Sequence, residues 1–295
     1  MKLVKESQWT YTIGVVQSTI FQGDAERLLS RLPQDFFRCC VTSPPYWGLR
    51  DYQAEGQIGA EDDPDQYVDH LVVVFEQVRR VLKEDGTFWL NIGDSYTSGN
   101  RGYRAPDKKN PVRAMSYWAK TPEGLKPKDL IGIPWRLAFA LQKSGWYLRS
   151  EIIWEKPNCM PESVKDRPTR CHEYLFLFSK SQKYFYDYLN VQEANGRNRR
   201  TVWSIPTEPF TGAHFATFPP KLVEPCILAG SEPNDWILDP FFGSGTVGAV
   251  CEQQHRKYVG IELNRDYVKL ATERTRNTER LLFTYDRKIA TNEKI

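Results

Sequence analysis

Apolar runs along the chain alternate with segments of helical periodicity. Residues 19–24, "TIFQGD", are typical of a short strand, and residues 24–33, "DAERLLSRLP", have helical spacing. A second apolar run, "FFRCCVTS", follows at 36–43. A helix-length segment at 67–82 and the strand-like "GTFWLNIGD" at 86–94 come next. This alternation predicts a mostly parallel sheet with helical crossovers.

The second half of the chain continues in the same way. A helix is predicted over 133–146, with Pro134 in its first turn and Gly145 at its end. We expect a strand at 147–156, and a pair of closing strands at 172–181 and 183–189. Residues 235–264 predict strand, Gly-rich turn, helix and strand, and a last helix follows at 266–281. We therefore expect a single α/β domain over residues 1–295.

Two polar segments interrupt this pattern. Residues 97–128 contain eight Lys or Arg and two acidic residues, so their surplus of positive charge exceeds the net charge of +3 of the whole chain. Residues 188–213 carry a second basic cluster. Basic residues among aromatic ones suit phosphate contact and base stacking, although a solvated loop has the same composition. We predict that these segments contact nucleic acid, through Lys108, Lys109, Arg113, Arg197, Arg199 and Arg200.

Composition excludes several other classes of protein. The N-terminus lacks the apolar core of a signal peptide, and no window reaches about 18 uninterrupted apolar residues, so we expect a cytoplasmic protein. The six cysteines form no C-x-x-C pair and the four histidines are scattered. We expect reduced thiols and no metal site, with Cys39 and Cys40 as small buried hydrophobic residues.

A glycine-rich turn points to a nucleotide-like cofactor. The stretch "GSGTVG" at 243–248 follows an apolar strand and precedes a helix, and Glu262 lies nineteen residues after Gly243. This is the dinucleotide fingerprint, and on its own it also fits a nicotinamide-dependent oxidoreductase. Asp239, at the strand end, favours a cationic ligand such as the amino group or sulfonium of S-adenosylmethionine. Its alternative role is to cap the turn that follows.

The tetrapeptide "SPPY" at 43–46 follows another predicted strand. Its prolines fix φ, so that the hydroxyl of Ser43 and the carbonyl of Pro44 can point the same way, while Tyr46 offers a stacking face. Two such acceptors can hold the N–H groups of an aromatic exocyclic amine and direct its lone pair at a methyl donor. A rigid turn that merely ends the strand is the alternative.

Together these motifs resemble a known family. "TSPPYW" and "DPFFGSGT", in this order, are similar to the permuted beta class of DNA amino-methyltransferases, which methylate N(4) of cytosine or N(6) of adenine. "QGD" at 22–24, "NIGD" at 91–94, "RPTRCHEYLFLFSK" at 167–180 and "HFATFPPKL" at 214–222 extend the resemblance over nearly the whole chain. The resemblance implies a Rossmann-like, seven-stranded, mostly parallel sheet with one antiparallel strand.

The resemblance also assigns roles to residues. The catalytic elbow comprises Ser43, Pro44, Pro45 and Tyr46. The residues expected to bind S-adenosylmethionine are Asp24, Phe218, Pro219, Asp239, Phe241, Gly243, Gly245, Thr246 and Glu262. Asp24 is equally suited to cap the helix that follows it. Arg50 and Asp51 either contact the flipped base or the cofactor, or pair with each other.

Serine at position 43 implies cytosine, because adenine enzymes of this family usually carry Asp or Asn there. The expected function is sequence-specific N(4)-cytosine methylation of double-stranded DNA by base flipping. The resemblance further implies a possible cognate restriction endonuclease and a monomer or homodimer. Adenine-N(6) methylation, RNA methylation and a non-catalytic DNA-binding module are the remaining alternatives.

Overall fold

The computed structural model describes residues 2–5, 17–49, 56–97, 121–208 and 218–292. Within these residues five helices connect successive strands, a sixth follows the last strand, and a 3₁₀ turn covers Leu189–Val191. The helices are α1 (Ala25–Leu29), α2 (Pro64–Val81), α3 (Ile133–Lys143), α4 (Pro220–Gly230), α5 (Thr246–Gln253) and α6 (Arg265–Asn292). The strands are β1 (Lys2–Lys5), β2 (Thr19–Gln22), β3 (Phe37–Thr42), β4 (Leu82–Ile92), β5 (Tyr147–Glu155), β6 (His172–Ser179), β7 (Val202–Ser204), β8 (Trp236–Asp239) and β9 (Lys257–Glu262).

The described strands form one sheet in the order β1-β2-β9-β8-β3-β4-β6-β5-β7. Strand β6 runs antiparallel to both of its neighbours, β4 and β5, and every other pair is parallel. The mostly parallel sheet with one antiparallel strand is thus confirmed. The expected count of seven was too low, because the short strands β1 and β7 extend the sheet at its two edges.

Helices cover both faces of the sheet. Successive side chains of a strand point to opposite faces, so each central strand contributes to two cores. In β4, Phe88 and Leu90 belong to the core beneath α1, α2 and α3, whereas Trp89 belongs to the core beneath α4, α5 and α6. Strands β3 and β6 divide their apolar residues in the same way. A sheet buried on both faces needs the nearly continuous apolar runs that the sequence contains.

One predicted strand is absent from the structure. Residues 183–189 were expected to close the sheet beside 172–181, but they form no strand. The backbone N–H of Phe185 donates instead to the carbonyl of Asp85, and that of Asp187 donates to the carbonyl of Ala229. These bonds tie the segment to two separate elements, so no ladder forms, and β5 becomes the antiparallel partner of β6.

The structure confirms the predicted burial of two adjacent cysteines. All six are free, and Cys39 and Cys40 are fully buried in β3, as predicted. Burial raises the pKa of Cys39 to about 12, so its thiol stays protonated. Within the described part of the chain, no cluster of His, Cys, Asp and Glu has the arrangement of a metal site. None of the described helices is both long and apolar enough to cross a bilayer.

Candidate active site

A cavity of about 1000 Å³ lies at the carboxyl edge of the parallel strands. Its walls come from the segments that follow β2, β3, β4, β5 and β8, together with the end of β9 and the amino end of the antiparallel β6. In open α/β sheets this edge is where ligands bind. The volume is at the upper end of the range for small-molecule sites, which suits two ligands side by side.

The "SPPY" elbow forms one wall of this cavity. Ser43, Pro44, Pro45 and Tyr46 all line it. The hydroxyl of Tyr67, on α2, donates to the carbonyl of Pro45 at 2.7 Å. Trp47 is buried, and its Nε1 donates to the carbonyl of Glu61 at 2.8 Å. Trp47 therefore anchors the loop, while the four residues before it face the cavity.

The hydroxyl of Tyr46 lies in a polar network. It donates to Glu173 Oε2 at 2.8 Å, and Ser43 Oγ donates to it at 3.4 Å. Asn91 Oδ1 lies 3.2 Å from the same oxygen. Burial, followed by the negative charge of Glu173, raises the pKa of Tyr46 well above its usual value, so the hydroxyl stays neutral.

Gly93 fixes the position of the Tyr46 ring. A Cβ atom at residue 93 would lie 2.7 Å from Cε2 of Tyr46, closer than real Cβ contacts allow. The ring therefore packs directly against the backbone of the "NIGD" segment after β4. Only glycine permits this approach.

The glycine-rich turn forms another wall of the cavity. Gly245 begins α5 in the left-handed region, with φ of 78°, and its Cα side packs against Ala271. Glu262, at the end of β9, accepts from the backbone N–H of Gly243 at 2.8 Å and from that of Asn264 at 2.8 Å. Burial raises the pKa of Glu262 to about 7, although these two bonds act in the other direction.

Asp239 joins the two motifs without lining the cavity. Its Oδ1 accepts from Thr42 Oγ1 at 2.6 Å and from the backbone N–H of Phe241 at 3.1 Å. Burial raises the pKa of Asp239 to about 7. Contact with a cationic ligand was expected, but the geometry supports the alternative, in which the side chain caps the turn.

The other residues expected to bind the cofactor divide into two groups. Those that line the cavity are Asp24, Phe218, Phe241, Gly243, Thr246 and Glu262. Pro219 and Gly245 lie behind this surface, where they begin α4 and α5. Asp24 also caps α1, because its Oδ1 accepts from the backbone N–H of Arg27 at 2.9 Å. Thr246 Oγ1 accepts from Arg274 at 2.9 Å, which ties the turn to α6.

Several residues that were not singled out by sequence also line the cavity. Lys156 forms an ion pair with Glu173, and both are largely buried. Asp94 accepts from the backbone N–H groups of Gly132 and Ile133, so it caps α3 from the end of β4. Glu173 and Asp94 lie in "RPTRCHEYLFLFSK" and "NIGD", which carried the family resemblance. The resemblance of these two segments to the family was the signal available in the sequence, but it did not single out Glu173 or Asp94.

The basic residues expected to contact DNA lie away from the cavity or outside the described residues. Arg200 forms an ion pair with Glu193 at 3.0 Å, and the guanidinium of Arg199 stacks on Trp203. Arg199 and Arg200 precede β7, whereas the cavity lies beyond the carboxyl end of that strand. Arg197 is exposed in the same segment. The residues outside the described ranges are Lys108, Lys109, Arg113, Arg50 and Asp51.

Comparison with curated proteins shows close relatives. The chain is 65% identical over 261 residues to the type II methyltransferase M.Cfr9I of Citrobacter freundii, and the aligned region covers 87% of each protein. It is 61% identical over 261 residues to the type II methyltransferase M.SmaI of Serratia marcescens, covering 86% of this chain and 89% of that protein.

Comparison with solved structures shows the same fold. The cytosine-N4-specific PvuII DNA methyltransferase superposes with a TM-score of 0.68 at 24% identity, covering 90% of this chain and 87% of the other. The complex of M1.HpyAVI with its ligand SAM gives 0.55 at 18% identity, with 87% and 98% covered. The sequence profile of the DNA methylase family, which comprises N(6)- and N(4)-methyltransferases, matches residues 37–273. This match spans most of the chain and confirms the family predicted from the motifs, so the protein belongs to the DNA methylase family.

Proposed function

We propose that this protein transfers the methyl group of S-adenosylmethionine to N(4) of cytosine in duplex DNA. The observation that carries the proposal is the meeting of "SPPY" and "DPFFGSGT" at one cavity, with Thr42 and Asp239 joining their strands directly. Family membership supports DNA as the substrate. Relatives above 60% identity are named type II methyltransferases, which supports a role as the modification enzyme of a restriction system.

The glycine-rich turn and Glu262 suit S-adenosylmethionine as the methyl donor. The fold brings an anchored carboxylate, a glycine-rich backbone and the aromatic rings of Phe218 and Phe241 to the same cavity. The carboxylate of Glu262 would accept from ribose hydroxyls, and the aromatic side chains would pack against the adenine. When bound, S-adenosylmethionine supplies an electrophilic methyl group. The chain's own task is then to orient the acceptor nitrogen and exclude water.

The elbow suits a weakly nucleophilic amine. The lone pair of an exocyclic amine is delocalised into its ring, so the nitrogen must be drawn toward tetrahedral geometry before it attacks. Ser43 Oγ and the carbonyl of Pro44 would accept the two N–H groups, with Tyr46 stacked on the base. Orientation of this kind is worth up to about 7–11 kcal/mol when the reacting atoms are held near contact. The base must leave the duplex to reach this wall.

Ser43 is also the basis for choosing cytosine. A hydroxyl both donates and accepts, so it can address the amino group and the ring-nitrogen edge of cytosine. A carboxylate or carboxamide is the usual residue at this position in the adenine enzymes that the sequence resembles. Adenine-N(6) methylation is the competing assignment within the family.

Nucleoside analysis tests the proposal. The purified protein is incubated with labelled S-adenosylmethionine and mixed-sequence duplex DNA, and the DNA is digested to nucleosides. We expect label in N(4)-methylcytosine, and label only in N(6)-methyladenine would refute the choice of base. Ser43→Ala should keep its cofactor affinity and lose most of its turnover. The matched control is Ser150→Ala, since Ser150 is a half-buried residue of β5 that does not line the cavity.

Phosphate contacts are proposed for residues 97–128 and 188–213. Each neutralised phosphate contributes about −0.9 to the slope of log affinity against log salt. Neutralising Lys108, Lys109 and Arg113 should therefore make this slope shallower by about 2–3. An unchanged slope would exclude the first segment from the DNA interface.

A further inference from the structure

The polar network at Tyr46 continues from the elbow to a carboxylate. Ser43 Oγ donates to Tyr46 Oη at 3.4 Å, and Tyr46 Oη donates to Glu173 Oε2 at 2.8 Å. The second contact has the length of a good hydrogen bond, and the first is long. Catalytic hydrogen bonds are often long without substrate and shorten in the complex. Two hydrogen bonds thus connect the hydroxyl of Ser43, which is predicted to bind the amine, to the carboxylate of Glu173 through the hydroxyl of Tyr46.

The carboxylate at the end of this chain is held in place from two sides. Lys156 forms an ion pair with Glu173 Oε1, which leaves Oε2 for Tyr46. Asn91 Nδ2 donates to Glu173 Oε2 at 3.3 Å and to the carbonyl of Tyr174 at 3.1 Å. The side chain of Glu173 is 17% exposed and lines the cavity. It can therefore exchange a proton with water there.

Methyl transfer to an amine leaves a proton to be removed. When the nitrogen–methyl bond forms and the sulfur–methyl bond breaks, the nitrogen becomes cationic and its proton becomes strongly acidic. Tyr46 is suited to pass this proton on rather than to keep it, because its hydroxyl is neutral and both donates and accepts.

We propose that Ser43, Tyr46 and Glu173 form a proton relay that deprotonates the methylated amine, an inference that rests on the proposed methyl transfer. The nitrogen gives its proton to Ser43 Oγ, Ser43 gives its own to Tyr46 Oη, and Tyr46 gives its own to Glu173 Oε2. Glu173 later releases the proton to water in the open cavity. Charge is balanced, since the cationic nitrogen becomes neutral while the carboxylate becomes a carboxylic acid. Glu173 is therefore a positioning and proton-accepting residue that acts through Tyr46.

Single-turnover methylation by conservative variants tests the relay. Tyr46→Phe keeps the ring and removes the hydroxyl, and Glu173→Gln keeps an acceptor for Tyr46 but is not a base. Each is expected to slow the chemical step by about tenfold or more, with unchanged affinity for S-adenosylmethionine and DNA. The double variant should be no slower than the slower single one. Glu151→Gln, an exposed carboxylate on β5, is the control.

Chemical rescue separates a proton acceptor from a structural support. Added formate should restore part of the rate of Glu173→Ala and none of the rate of Tyr46→Phe. The relay is overturned by a Glu173→Gln rate equal to that of the wild type, or by fully additive effects in the double variant. Wild-type label in N(6)-methyladenine would overturn only the cytosine assignment, because the ratio of variant to wild-type rate tests the relay on either amine. A wild type inactive on all DNA would overturn both.

Discussion

Replacement of Asp239 by Asn gives a quantitative test of how this buried carboxylate acts. The side chain is 1% exposed, and burial raises its pKa from 3.8 to about 7. The carboxyl group of Asp239 therefore binds its proton more tightly in the folded protein than in the unfolded chain. The free energy of unfolding is highest below the ordinary pKa, and it falls as the pH rises to about 7.

The shift sets the size of the expected effect. About three pKa units correspond to about 4 kcal/mol over the whole range, of which about 2–3 kcal/mol falls between about pH 5 and pH 8.5. Asn does not titrate, yet its Oδ1 can accept from both Thr42 and the backbone of Phe241, as Oδ1 of Asp239 does. As the pH rises through this range, the free energy of unfolding of Asp239→Asn should therefore increase by about 2–3 kcal/mol relative to that of the wild type.

Urea unfolding at a series of pH values measures this difference. Most of the contribution of Glu262 cancels, because that residue titrates in both proteins and its charge is the last of the causes that shift the pKa of Asp239. Asp69→Asn, on the exposed side of α2, is the matched control and should give a flat difference. A flat or falling difference for Asp239→Asn would refute the reasoning. Its affinity for S-adenosylmethionine should be unchanged, since Asp239 does not line the cavity.

Two further substitutions probe the walls of the cavity. Gly93→Ala places a Cβ 2.7 Å from Cε2 of Tyr46, so the ring must move. Turnover should fall about 100-fold while cofactor affinity is retained. Turnover equal to that of the wild type would contradict the packing of the Tyr46 ring against Gly93. Glu262→Gln should weaken cofactor binding about tenfold, measured by calorimetry. Because the pKa of Glu262 is about 7, wild-type affinity should rise as the pH increases through 7, and the variant should lose that dependence.

The strands and helices of the sheet were largely predictable because the periodicity is strong. The sequence identified β3, β4, β8 and β9 by apolar runs and α2 by its amphipathic spacing. It could not identify the edge strand β7, because three residues are too few to show a strand period. Residues 183–189 have the aromatic composition of a strand, but long-range backbone bonds to Asp85 and Ala229 decide their conformation. Local pattern contains no information on such partners.

The candidate site was predictable to a similar extent. The elbow and the glycine turn are contiguous in sequence, so their residues could be named in advance. Glu173 lies 127 positions from Tyr46, and only the antiparallel placement of β6 beside β4 brings its amino end to the cavity. Asp239 was expected to face a ligand because its sequence neighbours resemble a binding motif. Instead its buried side chain accepts a hydrogen bond from Thr42, which is 197 positions away.

The bond between Thr42 and Asp239 has a consequence for gene rearrangement. It joins β3 to β8, which are neighbours in the sheet although α2, β4 and several later elements separate them along the chain. The site depends on which strands are adjacent in the sheet and not on the order of these strands along the chain. A gene in which the segment bearing "DPFFGSGT" came before the one bearing "SPPY" would preserve these contacts, if the breaks fell between elements. Motif order can therefore diverge among relatives while the chemistry at the shared edge stays the same.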